Sequence, residues 1–182
     1  AFLDDAKKEK DVIGKCCDYE EFLKVYDSAI AAFGDNNMRL LWTERLMEAG
    51  YEVPSLIHPS AVVSPNAIVG RGCFVLQRAV VNRDTVMEHA VMVNSGAVVD
   101  HDTHLSKGVH IGLGSVVKAH CKISAGVRVE AGEVIFSTRR KIDGVDNRNL
   151  EDAVYAFGFG PKCSYVKPYG AGHINEIGRA HV

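Results

Sequence analysis

The sequence has no apolar stretch long enough to cross a bilayer, so a membrane-spanning helix is excluded. It also has no block of basic residues: 21 Lys and Arg stand against 23 Asp and Glu, for a net charge of −2. Neither nucleic acid nor an anionic membrane surface is indicated as a partner. No signal peptide is visible at the start. The five cysteines form no CxxC pair and no disulfide-like framework. The expected setting is therefore reducing and cytoplasmic. The remaining composition, 47% hydrophobic over 182 residues, is ordinary for a globular chain.

What is present is a period of six. Ile57, Val63, Val69, Val75, Val81, Met87, Val93, Val99, Leu105, Ile111, Val117, Ile123, Val129 and Ile135 open successive hexads without an insertion. The fifth position is small or β-branched, as at Ala61, Ala67, Cys73, Ala79, Thr85, Ala97, Thr103, Ser115 and Cys121. A single amphipathic strand repeats every two residues and a helix every 3.6, so neither alone produces this pattern. A solenoid in which each hexad is one short strand plus a corner does produce it. Three hexads make a triangular coil of 18 residues, with aliphatic first residues inward and the small fifth residue allowing the corner. Cys73 and Cys121 then act as small hydrophobes.

The chain before the hexads reads as α/β. Residues 11–14 are extended. Residues 19–25 form a short helix capped by Asp18, and residues 28–33 a buried strand. Asn36 or Asn37 caps a helix over 38–49, with Leu40, Leu41, Trp42, Leu46 and Met47 as its apolar face and Gly50 as its stop. Residues 51–57 then run as a strand into the solenoid.

The stretches LIHPSAVVSPNAIVG (56–70) and VVDHDTHLSKGVHIGLGSVV (98–117) resemble the sugar N- and O-acetyltransferases of the sialic-acid and bacillosamine pathways. The resemblance covers roughly residues 1–135. It implies a mainly β fold, a left-handed parallel β-helix of hexapeptide repeats. A small Rossmann-like α/β domain precedes it, and here that domain reads as truncated, because the family's opening strand and glycine-rich loop are missing. It implies acetyl-CoA as co-substrate and a nucleotide sugar as acceptor, held by the loops carrying Asp4, Asp5, Gly34 and Asn36. The domain boundaries expected are 1–56 for the α/β part and 57–140 for the solenoid.

The residues that break the plain repeat are Asp100, His101 and Asp102. His101 is third in its hexad and is expected in an exposed strand. Imidazole in water has a pKa near ~6.5 and accepts a proton at neutral pH, while a flanking carboxylate fixes its tautomer. The resemblance makes His101 the general base and Asp102 its acidic partner, where the family usually has Glu. It places His110 near the thioester, and the backbone N–H of Ala119, where the family usually has Gly, on the thioester oxygen. His101 and His110 lie half a coil apart, on different faces, so they converge only between subunits; a homotrimer follows. His89, His104 and His120 read as surface or interface residues. Two alternatives stand beside this reading: a non-catalytic scaffold, and a trimeric zinc enzyme hydrating carbon dioxide. No two histidines are a whole number of coils apart, which argues against the zinc enzyme, and no metal site is expected.

After the hexads, residues 141–148 read as a linker and 149–157 as an amphipathic helix. A strand over 164–166 leads into the glycine loop at 169–175. Residues 149–176 resemble the start of an aminoglycoside-phosphotransferase-like sugar kinase. The catalytic and metal-binding Asp residues of those kinases do not follow, so no kinase activity is expected. Residues 177–182 read as the translation of a sequencing-adapter string, a processing scar without functional meaning.

Overall fold

The computed structural model describes residues 1–6, 10–137, 165–167 and 179–181. It divides into two units, Ala1–Ser137 and Thr138–Val182. Strand β1 (Phe2–Leu3) pairs in parallel with β2 (Val12–Gly14). The short helix α1 (Tyr19–Phe22) is briefer than its sequence predicts. Asp18 does not cap it, because its carboxylate accepts from the Lys15 N–H at 2.9 Å instead. Residues 28–33 form no strand; only Ser28 bridges, in parallel, to Glu52. The same bridge is all the regular pairing found between Tyr51 and Ser55.

Helix α2 (Asn36–Ala49) starts two residues earlier than expected, capped by Asp35, whose carboxylate accepts from the Met38 N–H at 2.8 Å. Gly50 ends it in the left-handed conformation, φ 98°, as expected of a glycine stop. The helix has two working faces. Leu46 joins Ala31, Tyr51 and Val53 in a small core, and Trp42 stacks on Phe33 and meets Tyr19 edge-on. The other face carries Asn36, Arg39 and Thr43, all buried. Leu41, expected in the apolar face, is exposed.

From Leu56 the hexads fold as read. Strands β3 (Leu56–Ile57) to β16 (Val134–Ile135) are two residues each and begin every six residues. They stack as three parallel sheets of five, five and four strands, with partners 18 residues apart, as in Val80↔Val98↔Val116. The first-position residues from Val75 to Val117 are sealed in one core with the fifth-position residues. The corner is one residue earlier than expected. Every fourth position from Gly72 to Gly132 has positive φ, including the non-glycine residues Arg78, Asp84, Ala90, Asp102 and His120. The fifth residue points inward behind the turn and is small because the interior narrows there. Where it carries a hydroxyl, the group is bonded, as Ser115 Oγ to the Gly112 carbonyl at 2.7 Å.

One column of corners, Gly72, Ala90, Gly108 and Gly126, receives helix α2. A Cβ on Gly72 would lie 2.9 Å from Thr43 Cγ2, and one on Gly108 3.2 Å from Leu40 Cβ, so glycine permits the helix to approach. Arg39 has no exposed surface. Its Nε donates to the Ala90 carbonyl at 2.9 Å; its Nη2 donates to the Gly108 carbonyl at 3.1 Å and to Asn36 Oδ1 at 2.9 Å. Nη1 reaches the Phe33 carbonyl at 3.2 Å, and Asn36 Nδ2 continues the column to the Gly126 carbonyl at 3.0 Å. The N-terminal segment is thus bolted to the solenoid by a guanidinium.

In the second unit, β17 (Tyr165–Lys167) pairs antiparallel with β18 (Arg179–His181). The strand expected at 164–166 is therefore present one residue later, and part of the segment 177–182 is its partner. The linker 141–148, the helix 149–157 and the glycine loop 169–175 lie outside the described residues. Among the described residues, no helix is long and apolar enough to cross a membrane.

Arg39→Ala orphans two buried carbonyls and a half-buried one and opens a cavity. A loss of roughly 3 kcal/mol or more is expected, because each unsatisfied buried group costs about 1–3 kcal/mol. Limited proteolysis of the variant should cut before residue 56 well before it cuts the hexads.

Candidate active site

His101 stands in the turn after Val98–Val99 rather than in a strand, as the sequence alone had placed it. The turn is set by Asp100. Its Oδ1 accepts from the His101 N–H at 2.9 Å and from Asn82 Nδ2, one coil below, at 3.1 Å. Partial burial opposes ionisation of Asp100, but these donors and the nearby His101 and Lys118 charges outweigh it and hold its carboxyl below the usual value.

At the corner itself, Asp102 has φ 53°. Its Oδ2 lies 2.6 Å from His101 Nδ1. A carboxylate only accepts, so the proton of the neutral ring sits on Nδ1 and Nε2 keeps its lone pair. The hydrogen bond to His101 is the main reason the Asp102 carboxyl is held down. Some desolvation opposes it, and Arg83, 4.0 Å away, and His120 add to it. His120 is the corner residue one coil above Asp102. Its Nδ1 is 4.0 Å from Asp102 Oδ2, and its ring meets that of His101 edge-on at 5.2 Å. Ala119 stands above His101, and the next N–H, of His120, donates to the His101 carbonyl at 3.2 Å.

His110 lies in another sheet, in the strand His110–Ile111, and is 5% exposed. Ser95 N–H holds Asn94 Oδ1 at 2.7 Å, which turns the Asn94 amide nitrogen toward His110 Nε2 at 3.3 Å. Nδ1 is buried with no hydrogen-bond partner. Burial, then the positive charges of Arg128 and Arg39, push its pKa down.

No protein-family model matches the chain. Among solved structures, the acetyltransferase domain of PglB from Neisseria gonorrhoeae is 33% identical, with a TM-score of 0.66 over 75% of this chain and 78% of that one. The same domain in complex with acetyl coenzyme A matches at 32% identity and a TM-score of 0.63, over the same shares of the two chains. The chain belongs to the hexapeptide-repeat sugar acetyltransferases. PerB from Caulobacter crescentus, solved with CoA and GDP-perosamine, is 26% identical, with a TM-score of 0.55 over 69% of this chain and 70% of that one.

In this acetyltransferase the remaining expected site residues fall as follows. Asp4 Oδ1 accepts from the Ala6 N–H and Asp5 Oδ1 from the Cys16 N–H, so both shape the loop after β1. Gly34 is exposed, with open space where a Cβ would stand. Asn36 is buried, and its amide is spent on Arg39 and on the Gly126 carbonyl, which removes its side chain from acceptor recognition. His104 pairs with Glu88 at 2.8 Å, and His89 Nδ1 accepts from the Arg71 N–H at 3.2 Å. Sequence reasoning missed His120, Asn82 and the role of Asp100. The signal was there for His120: it follows Asp102 by 18 residues, one full coil.

The depressed pKa of His110 has a consequence for stability. Its folded value lies below the unfolded one, so its contribution is complete above the unfolded imidazole pKa of ~6.5 and is lost as pH falls below it. Melting temperature should drop between about pH 7.5 and about pH 5.5 in the wild type, and drop less in His110→Gln, by thermal unfolding at both values.

Proposed function

We propose that the protein transfers acetyl from acetyl-CoA to an amine or hydroxyl of a nucleotide sugar, with His101 as the general base. The observation that carries this is the 2.6 Å His101–Asp102 pair at an accessible solenoid corner in a sugar acetyltransferase. The acceptor heteroatom attacks the thioester carbonyl as His101 Nε2 takes its proton. The imidazolium that forms is stabilised by Asp102, whose carboxylate already holds Nδ1–H. Collapse of the tetrahedral intermediate breaks the carbon–sulfur bond, and the CoA thiolate takes up a proton. The Ala119 N–H is proposed as a donor to the developing oxyanion, a role needing no particular side chain. His110 is left out of the contact set because it offers almost no surface. The acetyl-CoA, CoA and GDP-perosamine carried by the similar structures support both co-substrate classes.

The reading extends to a homotrimer. The outward residues of one sheet are Val62, Val80, Val98, Val116 and Val134, an apolar column on a prism face, with its two ends the most exposed. The turn carrying His101 leaves that face directly after Val98–Val99. A three-fold ring would bury the column and place a neighbour beside the base. The cytoplasm is the proposed location, on the pattern of free cysteines.

His101→Ala should lower kcat for acetyl transfer by ~10²–10⁴, with affinity for acetyl-CoA nearly unchanged, and Asp102→Asn should fall between it and wild type. Wild-type turnover in His101→Ala would remove the assignment. Sedimentation should show a trimer, dissociated by Val98→Glu; a wild-type monomer at micromolar concentration would contradict the shared face.

A further inference from the structure

We propose that His101, Asp102 and His120 form a site for a divalent transition-metal ion of the zinc class, and that the bound ion shuts off the base. The second half rests on His101 being that base; the first does not. One ligand atom from each of the three residues lies within 4.8 Å of the others. Two imidazoles and one carboxylate are a donor set that suits zinc and its neighbours in the series. Tetrahedral coordination with bonds of about 2.0–2.1 Å spaces the donor atoms about 3.3 Å apart. The distances from Asp102 Oδ2, 2.6 Å to His101 Nδ1 and 4.0 Å to His120 Nδ1, bracket that value. The adjustment is small, and the side chains have room for it: they are 35%, 38% and 56% exposed for His101, Asp102 and His120.

The backbone preassembles the set. Asp102 and His120 hold equivalent corners one coil apart, and the His120 N–H to His101 carbonyl bond joins the two turns. All three side chains are exposed enough for water to complete the coordination. Arg83, 4.0 Å from the same carboxylate oxygen, works against the ion and limits its affinity.

The chemistry of inhibition is a tautomer change. The free site keeps the ring proton on Nδ1 and the lone pair on Nε2. An ion can bind Nδ1 only through the electron pair that holds its proton, so that proton leaves Nδ1 and one is taken up at Nε2 through solvent. The ring stays neutral, nothing is oxidised, and Nε2 becomes a donor unable to accept the proton of the acceptor sugar.

The test is a titration of the whole protein with Zn²⁺ and, spectroscopically, with Co²⁺. One ion should bind per chain, without the near-ultraviolet thiolate band that cysteine ligation would give. His120→Ala should weaken binding by at least ~10–100-fold; the alanine is tolerable there because Ala90 already occupies the same conformation at φ 58°. Asp102→Asn should weaken it similarly. Added Zn²⁺ should inhibit wild-type acetyl transfer reversibly on chelation. Absent binding, a thiolate band, or His120→Ala titrating like wild type would overturn the site, and uninhibited turnover with the ion bound would overturn the shut-off. If instead His101 is not the base, His101→Ala keeps its turnover while the wild-type protein still binds the ion, so the two failures are separable.

Discussion

Everything in the Ala1–Ser137 unit depends on the stacking of each residue over the one 18 positions away. The parallel ladders enforce it: Val98 N–H meets the Ser115 carbonyl at 2.9 Å and Asp100 N–H the Val117 carbonyl at 2.8 Å. With the register fixed, side chains form columns up the prism. One corner column, Gly72, Ala90, Gly108 and Gly126, holds helix α2. A second, Asp84, Asp102 and His120, carries the candidate chemistry. A register-shifting insertion between Asp102 and His120 would break both columns at once, because it separates Asp102 from His120 and also one pair of the Ala90, Gly108 and Gly126 column.

The corner conformation adds a selective pressure on residue type. Left-handed backbone costs a non-glycine residue roughly 1–2 kcal/mol, and Asp and His are among those that tolerate it best. Glycine would be cheaper at 102 and 120, as at the neighbouring corners Gly108 and Gly114. Keeping Asp102 and His120 there buys a carboxylate and an imidazole at a rim that points away from the core. Arg39 is the opposite case: a charge taken fully inside and satisfied only by carbonyls and one amide, an arrangement that is intolerant of a missing donor.

Most of the solenoid was legible because its signal is redundant. Fourteen aliphatic positions report one geometry, and each is the second residue of an observed strand. The corner lies at position four, while the sequence points to position five, because small residues at five look like turn formers and the true corners include Arg78 and Ala90, which do not. The expected strand at 28–33 failed for want of a partner beyond Glu52. The sequence points to Asn36 or Asn37 as the cap because both are good capping residues, and Asp35 just before them does the capping. Arg39 was invisible as a buried residue, since a charged side chain on a helix ordinarily reads as solvated. The His101–Asp102 pair was legible as a motif. His120 was not, because its place in the site comes from the column and not from its sequence neighbours.

The central claim is that acetyl transfer happens at the corner formed by His101 and Asp102. A structure of the protein with CoA and a sugar nucleotide bound tests it most directly. The account predicts the acceptor amine or hydroxyl within about 3 Å of His101 Nε2, with the CoA sulfur end approaching the same point. An acceptor group bound at another corner, with His101 facing only solvent, would contradict it.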